Sequence, residues 1–509
     1  MFGDCMLNWI KKETKAVTFP VSEIKEDIVP IDLDLEKNIL YFKKQLGNSF
    51  DILYKKIKLG SQKLCFIMDD GMCDNLLVTQ QVVKPILEAK QKYFSSEPQK
   101  FLENIRDVLC AGIDQKENRT LNDAVRDVLS GLVVVLVDGV DFCEYFGVQG
   151  FPKRSIENAQ SEVQEQGGQE AFIETFKDNV ALLRRRIRSP QLRFDVLEIG
   201  KTSKTRVCVS YFADRAKPET VKSVKDALKN AELDVVLGSG YLRPFLESDV
   251  HSLFSSVGTT ERPDIACAEM AEGRIIILVD GTPFALIVPY LFLENFHSLD
   301  DYENRPYYSF FIRLLKIVSF FLSMFLPGLY VAATTFHQEI LPTAMLYDTA
   351  VQESITPFPV VFEALVIHFI YEIVREAGIR MPKSVGHAVS IVGALVIGDA
   401  AVSAGLIGAP MLIIVAMTAI SSFVVSKIYY PVSILRFVFI LIGGLTGFYG
   451  IVLGFGVLLV NLCAVKSFDT PFLSPIAPSN FGVMFRDALY RKSWKTLGKR
   501  ELQIKKLEK

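Results

Sequence analysis

Hydrophobic and polar positions follow two rhythms along the chain. As far as about residue 311, apolar runs are short and bounded by Gly, Asp and Lys, the pattern of strands in an α/β domain. FDIL at 50–53 recurs as FDVL at 194–197. Each is followed by a glycine (Gly60, Gly200), a polar turn and a second apolar run, KLCFIMDD at 63–70 and RVCVSYFAD at 206–214. Later in each half an apolar strand ends in Val-Asp-Gly, LVVVLVDG at 132–139 and IIILVDG at 275–281. Three matches in one order, at offsets between 142 and 144 residues, predict a duplicated unit. Each half reads as strand, turn, strand, helices such as 97–111 and 217–230, then a final strand. ILVDGTPFALIV at 277–288 predicts a hairpin with Asp280 and Gly281 in its turn. The stretch 147–170, rich in Gln, Glu and Gly, predicts an extended connection or wrapping arm.

Beyond residue 311 the rhythm changes to long runs without charge. Positions 317–338 are 22 residues with none, 385–426 are 42 residues with Asp399 alone, and 437–465 are 29 residues with none. A helix needs about 20 residues to cross the hydrocarbon. The windows therefore predict four crossings, near 314–335, 385–404, 406–426 and 437–461. Residues 357–377 are interrupted by Glu363, His368, Glu372 and Arg375, and predict an interfacial or bundle-lining helix. The expected domains are an α/β subdomain at 1–150, a linker at 151–178, a second α/β subdomain at 179–311, a transmembrane helical domain at 312–466 and a tail at 467–509.

Charge sharpens this division. Residues 312–485 hold 16 of the chain's 114 charged groups, and residues 486–509 hold 12, nine of them Lys or Arg. Such a tail belongs in the cytoplasm. The net charge of −2 excludes nucleic-acid binding that rests on global basicity. The opening MFGDCMLNWIKKET lacks the apolar stretch of a secretory signal, so the first half is expected inside the cell and Cys5 has no lipoprotein context. The eight cysteines have no zinc or redox spacing and read as reduced thiols, mostly buried. A lysine and threonine follow Gly200 in IGKT at 199–202, but Asp195 stands where a phosphate loop needs its first glycine. LGSGY at 237–241 lacks nucleophile-elbow spacing, and the five histidines form no metal pattern. No enzyme and no cofactor are expected. LLRRRIRSP at 182–190 spreads its arginines around a helix, as salt-bridging on a solvated or interdomain surface does, or contact with a subunit or lipid headgroup.

Helical spacing from 385 places Val389, Val392, Val396, Asp399 and Ser403 on one stripe beside a face of small residues. Two readings stand: an Asp satisfied inside a helical bundle, or an ion path with valines as a dewetting constriction and Asp399 as an acidic ring. Glu363, His368, Glu372 and Arg375 are the candidates for coupling or interfacial contact.

These stretches resemble the A subunit of bacterial spore germination receptors, the GerA family. The likeness is carried by NVALLRRRI (179–187), IGKTSKTRV (199–207), ERPDIACAEMAEGRIIILVDGTPFALIVP (261–289), LPGLYVAATTFH (326–337), PFPVVFEAL (357–365) and EIVREAGIRMPKSVGHAVSIVGALVIGDAAVSAGL (372–406). Two positions depart from the family: QGGQEAF at 166–172 replaces its usual Gly-Pro-Arg-Glu-Gly-Phe-like arm, and His368 stands at a commonly acidic place. The resemblance implies a multi-pass protein of the inner spore membrane that works with a transporter-like B subunit and a lipoprotein C subunit. It implies nutrient detection, homo-oligomerisation and ion conduction. A non-conducting scaffold or a secondary-transporter-like subunit are the alternatives, the latter disfavoured by the absence of a visible repeat in the membrane half.

Overall fold

The computed structural model describes residues 28–88, 97–110, 114–150, 159, 161–164, 166–248, 252–381, 398–480, 482 and 484–494. By its packing the chain divides into two units, residues 1–45, 53–69 and 73–149, and residues 46–52, 70–72 and 150–509.

The first unit is built on a five-stranded sheet with order β1-β2-β4-β5-β3, where β1 is Ile52–Leu59, β2 Gln62–Asp69, β3 Gln115–Asn118, β4 Val133–Val137 and β5 Cys143–Phe146. Helix α1 (Leu35–Leu46) precedes it, and α2 (Leu121–Val128) lies between β3 and β4. The Thr120 hydroxyl accepts the Asp123 N–H and so caps α2. Leu64, Phe66 and Met68 of β2 join Val133, Val135 and Val137 of β4 over one core with Val82, Ile86, Phe101 and Leu102.

The second unit opens on a sheet of the same design. Strands β6 (Leu192–Ile199), β7 (Thr205–Phe212), β8 (Gly258–Thr260), β9 (Ile275–Val279) and β10 (Ala285–Val288) lie in the order β6-β7-β9-β10-β8. Each sheet thus runs first, second, fourth, fifth, third. The registers agree too: Leu64 faces Val137 in one sheet, and Val207 faces Val279 in the other. Both Val-Asp-Gly glycines, Gly139 and Gly281, have φ near +83°. The repeated sequence pattern is therefore a repeated topology.

All five residues of β9 are buried, and alternation sends them into two cores. Ile275, Ile277 and Val279 pack with Val221, Val224 and Leu228 of α4 (Pro218–Lys229). Ile276 and Leu278 pack with Val180 and Leu183 of α3 (Phe176–Arg186) and with Ala266 and Met270 of α5 (Pro263–Ala271). The hairpin β9–β10 pairs Leu286 with Ile277, but its loop takes in residues 280–284 rather than a two-residue turn. Asp280 and Gly281 N–H groups go instead to the Arg206 and Glu174 carbonyls. Cys65, Cys73, Cys110, Cys143 and Cys208 are buried thiols, and burial pushes Cys65 and Cys110 up to about 12. Cys267 is half-buried and Cys463 exposed, so the described cysteines are mostly buried, as expected.

Helices follow: α6 (Pro306–Phe336), α7 (Thr343–Ile355), α8 (Val360–Arg380), α9 (Ala409–Val424) and α10 (Tyr429–Ala464). Among the described residues two helical stretches are long and apolar enough to cross a membrane, Pro306–Phe336 and Ser426–Ala464, whereas Ala409–Val424 has 16 residues; most of the expected crossing at 385–404 lies outside the described residues. The expected crossing at 437–461 is not one straight helix. Gly447 has φ +65° and ψ −155°, and there α10 reverses on itself. A Cβ on Gly454 would lie 3.0 Å from the Phe439 ring, and Phe325 of α6 touches both Phe439 and Phe455. Fifteen residues of straight helix would separate Phe439 from Gly454 by about 22 Å. Two apolar arms therefore replace one, and only glycine fits the turn: a Cβ at 447 would meet His337 and Phe336 at 2.8 and 3.1 Å. At Gly328 and Gly443 the backbones of α6 and α10 come into direct contact, which any side chain would prevent.

The C-terminal segment expected at 467–509 packs against the rest of the second unit where it is described. Lys466–Ser467 and Thr470–Pro471 form a two-stranded ladder, and the Ser467 hydroxyl donates to the Ser256 carbonyl. Residues 484–494 pack back on the start of α6. Buried Arg313 pairs with Asp301 at 3.0 Å and Asp487 at 3.5 Å, and Arg491 and Trp494 both donate to carbonyls of 302–304. Tyr302 lies between the Arg313 and Arg491 guanidinium groups. The cause is hydrogen bonding as well as charge: buried Arg313 has more N–H donors than Asp301 satisfies, and the segment brings the Asp487 carbonyl and carboxylate.

Candidate functional site

Three of the stripe residues, Val389, Val392 and Val396, lie outside the described residues. Asp399 and Ser403 are described. They stand four residues apart on a helical segment, both exposed.

The coupling candidates come together on α8. Glu363 and His368 are buried, and Glu363 accepts the Gly408 N–H at 2.6 Å at the start of α9. Because helix N-termini carry unpaired N–H groups, a carboxylate there is both a cap and a favourable charge. His368 Nδ1 donates to the Ala364 carbonyl at 2.8 Å. One turn on, Glu372 is the centre of a polar cluster. It accepts from Tyr429 Oη at 2.7 Å, Ser433 Oγ at 2.6 Å and Arg436 Nη1 at 3.3 Å. The Arg375 guanidinium covers the Tyr429 ring, and Tyr371 Oη is 3.4 Å from Ser422 Oγ of α9.

Arg436 is fully buried, and its Nε donates to the Ser323 carbonyl of α6 at 2.9 Å. That acceptor is free for a reason written in the chain. Pro327 stands four residues on inside α6 and has no N–H, so the Ser323 carbonyl has no helical partner. A proline in one helix thus makes the receptor for an arginine in another. Arg436, Tyr429 and Ser433 are absent from the residues singled out by sequence. The signal was an ionisable group in an apolar run, where it normally faces protein or water. Arg436 stands one residue before the charge-free window at 437–465, and the start of α10 at Tyr429 puts it inside the bundle.

A second charged zone lies where the sheet gives way to α6. Buried Arg274 meets Glu269, Glu272 and Glu294. Burial pushes the Glu294 carboxyl up, against the attraction of Arg274. Burial likewise holds His297 well below its usual value, so the ring is neutral, and its Nε2 lies 2.8 Å from the Ala488 carbonyl. Beside it is a cavity of about 480 Å³ lined by Glu162, Asp301, Lys316 and Lys427 among others. Glu162, from the linker, pairs with Lys427 at 3.1 Å, and Glu170 pairs with Arg185 and Arg186. The basic cluster is thus salt-bridged, with Arg184 buried against Asp51 at 2.8 Å. The loop at 200–204 is closed by backbone bonds to Leu233 and Asp234. Among the described residues no group of His, Cys, Asp or Glu could hold a metal ion.

The family described as Bacillus/Clostridium GerA spore germination protein matches residues 40–503. Spore germination protein KA of Bacillus subtilis is 38% identical over 491 residues, covering 95% of this chain and 89% of its own. Spore germination protein B1 of the same species is 35% identical over 450 residues, 88% of this chain and 92% of its own. The crystal structure of the N-terminal domain of the A subunit of the Bacillus megaterium spore germinant receptor GerK3 is 30% identical, with a TM-score of 0.42, covering 52% of this chain and 98% of that one. With the match extending through both sheets and the helical bundle, the chain belongs to the GerA family of spore germination proteins.

Proposed function

We propose that this chain is the A-type subunit of a nutrient-responsive germination receptor in the inner spore membrane. Copies of it assemble around an ion path, alongside a transporter-like B-type and a lipoprotein C-type subunit. The sheets and the basic C-terminal segment lie on the cytoplasmic side. The observation that carries this reading is Asp399, which is exposed beside apolar helices. An ionisable group facing hydrocarbon costs at least about 2.5–3.5 kcal/mol, so such a residue normally faces water or another protein surface. An oligomer supplies both. In that arrangement Val389, Val392 and Val396 form the constriction and Asp399 with Ser403 the polar zone beside it. Glu363, His368, Glu372 and Arg375 act behind this wall, setting how α8 sits against α9 and α10.

The reading is tested in spores carrying Val392→Ala. Widening a dewetting constriction lets ions leak without nutrient, so spontaneous efflux should rise with subunit abundance unchanged. Unchanged efflux at normal abundance for Val389, Val392 and Val396, each cut to Ala, contradicts it.

A further inference from the structure

Among the described residues, the buried nitrogens without a hydrogen-bond partner include Arg436 Nη2 and His368 Nε2 on facing helices of the bundle. Their residues are each 0% exposed. Buried polar groups are almost always bonded, and an orphan in a native interior marks an unseen water or ion. These two differ from an accidental pair in their placement and their chemistry. His368 and Glu372 share one face of α8, one turn or about 6 Å apart along the axis. Arg436 is held to that face by Nη1 on Glu372 and to α6 by Nε on Ser323, which leaves Nη2 over. The Arg436 charge acts on the His368 ring.

The roles of the two nitrogens are complementary. Guanidinium nitrogens only donate. A backbone carbonyl only accepts, so His368 Nδ1, bonded to Ala364 O, carries the ring proton. Nε2 of the neutral ring is then a lone pair that accepts. A group bonded to both nitrogens must accept from the guanidinium and donate to the ring.

We propose that a single water molecule is bound between Arg436 Nη2 and His368 Nε2, accepting from the guanidinium and donating to the ring. A halide satisfies the arginine but cannot donate to Nε2, so the tautomer fixed by Ala364 selects water over an anion. The water joins α8 to α10 and through Arg436 to α6, and two polar partners meet the minimum for a buried site. His368 is a positioning residue in this account: it holds the water that holds Arg436. The site stands independently of the ion path assigned to Asp399.

The test is a crystal structure of the full chain grown in sodium bromide, with data at the bromine edge. The expected result is water-sized density within hydrogen-bond reach of both nitrogens and no anomalous signal. An anomalous peak there makes the occupant an anion and overturns the assignment. Absence of density, or protein groups satisfying both nitrogens, overturns it equally. His368→Leu, in the same crystals, should lose the density while the Glu372–Arg436 pair remains; density that persists removes His368 from the site.

Discussion

Arg184 and Arg436 are both fully buried arginines, one beside a sheet and one within the helical bundle, and their surroundings differ. Arg184 donates to Asp51, to the Ser189 carbonyl at 3.0 Å and to the Leu192 carbonyl, and it stacks over Phe194. Strand ends and loops leave such carbonyls free. In the bundle nearly every carbonyl is taken by its own helix. Arg436 obtains one because Pro327 releases Ser323, obtains a carboxylate from Glu372, and has one nitrogen left without a protein partner. Beside the sheet Arg184 is buried with what loops and strand ends supply, whereas Arg436 within the bundle relies on a carbonyl that a proline releases.

The largest expected effect is Arg436→Leu. It strands the Glu372 carboxylate in an apolar bundle, a loss of about 3–5 kcal/mol, and the full chain should be nearly absent from membranes in an immunoblot. Adding Glu372→Leu should restore much of the level. Arg184→Leu with Asp51→Leu should recover less, because two carbonyls, of Ser189 and Leu192, then stay unmatched against the single Ser323 carbonyl in the bundle. Equal recovery would dissolve the contrast.

Gly447 and Gly60 sharpen the same comparison at the backbone. Their φ values are +65° and +60°, yet a Cβ at 60 meets nothing within 4 Å whereas one at 447 strikes His337 and Phe336. Gly60→Ala should cost only the strain of the conformation, about 1–2 kcal/mol. Gly447→Ala adds a clash at the hairpin tip and should lower the thermal midpoint of the detergent-solubilised chain by more. A smaller shift at 447 than at 60 would contradict the hairpin.

Pro327→Ala gives Ser323 its N–H partner again and makes Arg436 Nε compete for that carbonyl. The expected loss is about 1–2 kcal/mol. In the background of Arg436→Leu with Glu372→Leu, whose level is restored, the loss should vanish in the same unfolding assay. An equal loss in both backgrounds would show that the proline acts through helix shape alone.

The smallest effect concerns the charged zone before α6. Glu294 has its folded pKa raised above the unfolded value near 4.5, so the folded state binds the proton more tightly. Its contribution is fully present below pH 4.5 and is lost as pH rises through the folded value, up to about 8. Stability followed between pH 4.5 and 8 should decline in part through this group, and Glu294→Gln should flatten the decline. A slope unaffected by the substitution would remove Glu294 as its source.

Much of the sheet region was legible because its information is local. The Val-Asp-Gly repeats marked equivalent strand ends, and the offset near 143 residues reappears as matched register. The bundle was less legible. Residues 437–465 hold several glycines among apolar residues, and such glycines are ordinary in membrane helices. Nothing in the pattern marked Gly447 as the turn and Gly443 or Gly454 as packing positions. Nor did it show that α10 starts at Tyr429, ahead of the charge-free window, and so takes in Arg436. The docking of 484–494 was hidden because Asp487 reads as one charge in a basic segment until Arg313 is seen to need it.

Asp399→Asn is the most direct test of the ion path, since it keeps size and polarity and removes the charge. Cation efflux should be followed after nutrient addition in spores whose subunit abundance matches wild type. The account predicts slowed efflux with unchanged nutrient binding to the receptor complex. Wild-type efflux in those spores would contradict it.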